Sequence, residues 1–264
     1  MKALERANAP TRDDLGTRSL WSEVVAGLEW AALKVSPVYY GFGVPRGDGS
    51  PVILVPGLLA SDLSLAEMHL WLGRIGYRSY ASGIGRNTEC PDVLLERLLE
   101  TVARVHQETG QRVRLIGHSL GGLLARAAAG QAPEHVAQLI TLGTPLRRIG
   151  AHPTVFALAR KVMRRSRRRT GGPCLRSFKA GLTQCLPAPL SHAAICSKSD
   201  PVVNWDDCAG VDGAVDIEVG STHIGMPANP QVYLQVARLL ASPEEQRTPL
   251  SIQPADQAAL PLAA

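Results

Sequence analysis

The run VRLIGHSLGGLLA, from Val113 to Ala125, constrains this chain most. A short apolar segment stops at Gly117, Ser119 follows two residues later, and a Leu/Ala-rich segment begins at once. The pattern predicts a strand, a sharp turn and a helix, with a serine on the turn. Such a turn drives strand and helix together, so the positions two before and two after the serine must be small. Glycine stands at both, Gly117 and Gly121. The hydroxyl then projects above the end of a sheet, with a helix N-terminus behind it. The alternative is a glycine-rich strand-to-helix turn whose serine has no chemical part.

The rest of the chain repeats that rhythm. Pro51 to Gly57 is a continuous apolar run, as a strand covered on both faces requires. Leu65 to Leu72 reads as helix and Arg78 to Ala81 as strand. Pro91 opens a helix with a stripe through Leu94, Leu98, Val102 and Val105, stopped at Gly110. A helix from Leu120 to about Gln131 and strands Val136–Leu142, Ala193–Ser197 and Val215–Val219 follow. A closing helix begins at Asn229-Pro230, with Val232, Val236, Leu239 and Leu240 facing inward. This alternation predicts the α/β class: a mainly parallel central sheet flanked by helices, with functional residues just past the C-terminal ends of its strands.

Two regions depart from the rhythm. Between about 146 and 190, Pro153, Gly171, Gly172, Pro173, Pro187 and Pro189 punctuate the chain, which predicts an insertion over the sheet, a cap or lid. Upstream, Ser19 is expected to cap a helix with an apolar stripe of Leu20, Trp21, Val24, Val25, Leu28, Ala31, Ala32 and Val35, ended by Ser36-Pro37. That stripe would face the body or, alternatively, a membrane surface. The expected organisation is one domain over 19–241, between a disordered segment 1–18 and a mobile tail 242–264.

The net charge of +5 comes from one place: Arg160, Lys161, Arg164, Arg165, Arg167, Arg168 and Arg169 carry seven positive charges with no acid among them. Without those seven the remaining +5 balance becomes −2, so the chain is not basic throughout. The run reads as a solvated charge face, or as an attraction to anionic lipid surfaces. Nucleic acid is disfavoured, because no aromatic residue interleaves with the arginines to stack bases. The five cysteines have no metal-ligand spacing and are expected as free thiols, with a Cys174–Cys185 bridge as the alternative for an exported protein. No run of about 18 apolar residues predicts a membrane span. Met1 to Gly16 lacks the apolar core of a secretion signal, which makes the cytoplasm the expected location.

Three strand ends carry reactive groups: Ser119, then Ser199-Asp200-Pro201, then Ser221-Thr222-His223. A serine hydroxyl needs a base within hydrogen-bond reach to become a nucleophile. His223, in a loop of small residues after a strand, is the candidate base; Asp200 would hold its imidazole in the required tautomer. Asp206 and Asp207 are the alternative acids. Among the other histidines, His118 neighbours the serine but is expected to point elsewhere, His69, His106 and His135 fall on helices or their flanks, and His152 and His192 flank the insertion where they could touch substrate. The oxyanion would need fixed donors, for which the backbone N–H groups of Leu58 and Leu120 are placed.

The pieces Val55-Pro56-Gly57-Leu58-Leu59, Gly117-His118-Ser119-Leu120-Gly121-Gly122, Leu142-Gly143-Thr144-Pro145, Ser199-Asp200-Pro201-Val202-Val203 and Ser221-Thr222-His223 resemble the α/β-hydrolase superfamily, specifically its lipase-like serine esterases. The resemblance runs from about Pro51 to Ala241. It implies hydrolysis of carboxylic esters through an acyl-enzyme, with no cofactor, and makes Gly117, His118 and Gly121 the nucleophile elbow; no sequence feature argues for a catalytic metal. Leu59, Phe156 and Val203 are candidate substrate contacts, and Val155, Leu158, Val162 and Met163 could join Phe156 in an acyl pocket. Many relatives carry His-Gly before the first oxyanion donor, where this chain has Pro56-Gly57. The same triad could pass its acyl group to an alcohol instead of water, or the fold could persist in a catalytically silent binding protein.

Overall fold

A computed structural model describes residues 25–147, 152–170 and 174–242. Its strands are β1 (Pro51–Val55), β2 (Arg78–Ala81), β3 (Val113–His118), β4 (Val136–Leu142), β5 (Ser191–Cys196) and β6 (Ala214–Glu218). They form one sheet in the order β2-β1-β3-β4-β5-β6, every neighbouring pair parallel. The chain leaves β1 for one edge and returns on the other side as β3. The ends of β1 and β3 therefore flank the point where the winding reverses, which is where an open parallel sheet leaves a crevice.

The helices are α1 (25–35), then α2 (Ala66–Ile75), α3 (Pro91–Thr109), α4 (Leu120–Gln131), α5 (Pro153–Thr170), α6 (Arg176–Thr183), α7 (Trp205–Cys208) and α8 (Pro230–Ala241). Side chains of a strand alternate between faces, and β1 divides accordingly. Val52 and Leu54 pack with Met68 and Trp71 of α2 and Tyr233 and Val236 of α8. Ile53 and Val55 pack with Leu94 and Leu98 of α3, Leu123 of α4 and Phe178 of α6. Asn229 caps α8 as its sequence predicts: its side-chain oxygen accepts from the N–H of Gln231 at 2.8 Å. The inner face of α8 differs by one residue, since Tyr233 is fully buried and Leu239 only partly so.

Four expectations need correction. The stripe of α1 does not face the body: Leu28 is 64% exposed and Val35 83%. The helix docks by its other side, through the buried Leu33, through Glu29, and through a Lys34–Glu67 ion pair at 2.6 Å. The polar anchors fix its rotation and leave the apolar residues outside. Ser19, Leu20, Trp21 and Val24 lie outside the described residues, as do the segment 1–18 and, apart from Ser242, the tail 242–264.

The stretch 146–190 is not wholly a cap. Its second helix, α6, belongs to the layer flanking the sheet: Phe178 enters the core, and Gly181 lies against the backbone of Ala127 in α4. Asp92 of α3 caps it, accepting from the N–H groups of Arg176 at 2.9 Å and Phe178 at 2.8 Å. Only α5 remains outside that layer.

The cysteines are not all free thiols. Cys90 is bonded to Cys174 and Cys196 to Cys208, while Cys185, the alternative partner of Cys174, is free and exposed. The first bridge ties the start of α3 to the segment before α6; the second closes the loop after β5. Finally, His192 is not placed to touch substrate at the strand ends. It stands at the start of β5, 5% exposed, facing Leu139 and Ala214 across the sheet.

Candidate active site

Ser119 sits between β3 and α4 with φ 53° and ψ −123°, in the positive-φ region that side chains rarely adopt. The surroundings leave the turn no other course. A Cβ on Gly117 would come within 2.7 Å of Gly121 O, and one on Gly121 would strike the carbonyls of Val55 and Pro56. Gly122 is as constrained as these two, because a Cβ there would collide with the Thr144 side chain. Thr144 in turn donates its hydroxyl to Ser119 O at 3.2 Å, and Ser119 N–H donates to Leu142 O at 2.9 Å. The end of β4 thus clamps the turn from beneath.

Three segments more than 20 residues apart in sequence meet above this turn. His223 Nε2 lies 2.9 Å from Ser119 Oγ, and His223 Nδ1 lies 2.7 Å from Asp200 Oδ2. The Asp200 side chain is 1% exposed and that of His223 8%. The second oxygen of Asp200 is satisfied by the N–H groups of Val202 at 2.7 Å and Val203 at 2.9 Å. Gly143 passes under the pair with φ 54°, where a Cβ would lie 3.2 Å from both Asp200 Oδ2 and His223 Nδ1. The alternative acids are elsewhere: Asp206 and Asp207 lie on the short helix α7.

The turn after β1 flanks Ser119 on its other side. A Cβ on Gly57 would stand 3.3 Å from Ser119 Cβ, so the Gly57–Leu58 peptide runs beside the nucleophile. Leu59 has φ 64° and is 38% exposed. Asn87, only 1% exposed, holds this loop at three points. Its Nδ2 donates to Pro56 O at 2.9 Å, its carbonyl accepts from Leu59 N–H at 2.9 Å, and its N–H donates to Ala60 O at 2.8 Å. The N–H of Leu120 opens α4, where helix geometry provides no intrahelical acceptor.

Two of the sequence's candidates do something other than expected. Val203 is 2% exposed and packs beside Cys196 and Cys208, so its contribution is the N–H on Asp200 and not a substrate contact. His118 turns toward the site: its Nε2 lies 2.9 Å from the carbonyl of His223, and the two rings are 4.9 Å apart. A carbonyl only accepts, so Nε2 carries the hydrogen. Burial, with the neighbouring His223 second, pushes the pKa of His118 down to about 3, and the ring is a neutral donor at ordinary pH. Phe156 falls on α5, its side chain outside the described part. Met163 of the same helix lines a groove of about 590 Å³ with Arg160, Arg164, Arg167, Arg176 and Lys179.

Neither Asn87 nor Glu29, which bonds to Thr222 next to His223, was singled out by the sequence. Each acts across a long separation, and no spacing rule marks either.

Comparison with known proteins bears on the fold. Residues 51–172 match a family described as the alpha/beta hydrolase fold. A triacylglycerol lipase of Burkholderia plantarii is 33% identical over 132 residues, 47% of this chain and 37% of the lipase. One of Pseudarthrobacter phenanthrenivorans is 38% identical over 106 residues, 37% of this chain and 33% of that protein. The matched part therefore spans about a third of the length of these curated relatives. Among solved structures, a metagenomic carboxyl esterase superposes with a TM-score of 0.56 at 16% identity, covering 75% of this chain and 78% of its own. The mature form of a Bacillus licheniformis lipase gives 0.55 at 14% identity, covering 75% and 94%.

Proposed function

We propose that this chain, whose residues 51–172 match the alpha/beta hydrolase fold, cleaves carboxylic esters through an acyl-enzyme on Ser119. The observation that carries the reading is the unbroken series Asp200–His223–Ser119, with contacts of 2.7 and 2.9 Å. In this reading Ser119 gives its proton to His223 Nε2 as its oxygen attacks the ester carbonyl. Asp200, accepting from Nδ1–H, fixes the tautomer and stabilises the imidazolium. In this reading the oxyanion takes hydrogen bonds from the backbone N–H groups of Leu58 and Leu120, donors of the fixed kind that need no reorganisation as charge develops. His223 returns the proton to the leaving alcohol, and water repeats the sequence on the acyl-enzyme. Leu59, half-exposed on the oxyanion loop, would touch the substrate beside the reacting carbon.

A fluorophosphonate probe tests the assignment. Wild type is expected to label and Ser119→Ala to remain unlabelled; a folded wild type that fails to label would leave a silent binding protein as the better account. A series of p-nitrophenyl esters from acetate to palmitate then reads the acyl preference.

The partner reading concerns α5. Arg160, Arg164 and Arg167 line the 590 Å³ groove with Arg176 and Lys179 of α6, a concentration of charge suited to an anionic lipid surface that also supplies ester. The disulfides bear on location. Bonded Cys90–Cys174 and Cys196–Cys208 fit an oxidising compartment better than the expected cytoplasm. Among the described residues no helix is long and apolar enough to cross a membrane.

A further inference from the structure

The loop carrying His223 is tied to a residue almost two hundred positions away. Glu29 of α1 places its carboxylate inside the turn 220–229. Its Oε1 accepts from the N–H of Thr222 at 3.1 Å and from Asn229 Nδ2 at 2.8 Å. Its Oε2 accepts from the Thr222 hydroxyl at 2.6 Å. Thr222 Oγ1 then accepts from Gly225 N–H at 3.1 Å, which closes the turn around His223. The chain leaves room for this carboxylate: a Cβ on Gly225 would land on it. Thr222 and Asn229 are 9% and 4% exposed, so neither has ready access to water in place of Glu29.

We propose that Glu29 is a positioning residue for the general base, holding the peptide before His223 so that Nε2 meets Ser119 Oγ. This rests on the reading of Ser119, His223 and Asp200 as a triad. Asp200 holds the ring and His118 holds the carbonyl of His223; Glu29 supplies the third hold, on the residue before it. Ser197 ties Ser221 as well, its hydroxyl donating to Ser221 O at 2.6 Å, and Glu29 is the side chain that ties Thr222, the residue joined directly to His223. The hydrogen bonds to an ionised carboxylate are the strong kind. The Lys34–Glu67 pair, by contrast, ties α1 to α2.

The test compares Glu29→Ala, Glu29→Gln and Lys34→Ala with wild type, each assayed the same interval below its own melting temperature. Steady-state hydrolysis of a p-nitrophenyl ester and the rate of fluorophosphonate labelling are the readouts. Displacing a catalytic group by about 1 Å removes on the order of a hundredfold in rate. Glu29→Ala is therefore expected to lower kcat and the labelling rate about 100-fold, with KM within about twofold. Glu29→Gln keeps one acceptor and should recover about tenfold of that loss; Lys34→Ala should stay within about twofold of wild type. The proposal is overturned if Glu29→Ala keeps kcat within about threefold, if KM rises while kcat holds, or if Lys34→Ala falls as far. Should Glu29→Ala not fold, Glu29→Gln decides: kcat within about twofold of wild type overturns it. A wild type that does not label at all overturns the triad reading and this assignment together, whereas a labelling wild type matched by its Glu29 variants overturns this assignment alone.

Discussion

Gly143 shows how little room the site leaves for a single atom. Its φ of 54° is strained for any side chain, and a Cβ would stand 2.9 Å from Met226 Sδ and 3.2 Å from the Asp200 and His223 atoms that face each other. Gly143→Ala should therefore widen the Asp200–His223 contact and lower kcat on an activated ester by about 100-fold, with a stability loss of about 1 kcal/mol or more. Gly220→Ala is the matched control, since a Cβ there meets only Gln231 Oε1, at 3.8 Å, and its kcat should not change. Comparable losses in both variants would sink the idea. Asp200→Asn retains the shape but can no longer accept from Nδ1–H on one side, and kcat should drop by on the order of 10⁴. At this scale the sequence was legible where a residue's place in the site follows from its own position in the chain. Ser119 sits between two glycines, and His223 and Asp200 each follow a strand end. Asn87, Glu29 and the inward turn of His118 were not legible, because each acts through space on a backbone group belonging to another segment. Val203 was misread for the same reason: position beside Asp200 suggests the pocket, while packing against the Cys196–Cys208 bridge buries it.

Elements bounded by local signals in the sequence were readable to the residue. Strand β4 and helices α3 and α4 begin and end where apolar periodicity, Pro91 and Gly110 predict. Helix α1 was read on the wrong face, because an apolar stripe says which residues are alike and not which side a carboxylate anchors. Disulfide pairing was equally hidden, since Cys90 and Cys174 are 84 residues apart in sequence. Helix α5 combines both difficulties, carrying half-buried Val155, Val162 and Met163 as well as its arginines. Its proposed attraction to lipid makes a separable prediction. Replacing Arg164, Arg165, Arg167, Arg168 and Arg169 by Gln should weaken binding to vesicles rich in anionic lipid, since each basic residue near such a surface contributes about 1 kcal/mol. Hydrolysis of a short soluble ester should stay unchanged. Sedimentation with vesicles at low and high salt is the measurement; equal binding of both proteins would remove α5 from the lipid account.

The molecule as a whole should be sensitive to acid for a reason lodged in its sheet. His192 is 5% exposed on β5, and burial, helped by the nearby Arg126, brings its pKa down from 6.5 to about 3. Above pH 6.5 the ring is neutral in folded and unfolded chains alike, and it contributes no pH dependence. Between 6.5 and 3 only the unfolded chain takes up the proton, so stability falls as pH falls, by about 1.4 kcal/mol per unit. At pH 5 that is a loss of about 2 kcal/mol from this one side chain, a sizeable part of the total for a domain. His118 shifts in the same direction. His192→Gln cannot take up that proton in either state. Every other titrating group is shared, so the difference between the two proteins isolates residue 192. Urea unfolding at pH 7.5, 6 and 5 should show the variant losing about 2 kcal/mol less than wild type over that interval. Parallel stability curves would mean that this imidazole reaches water in the folded state, and that the sheet is less closed around the start of β5 than its packing indicates.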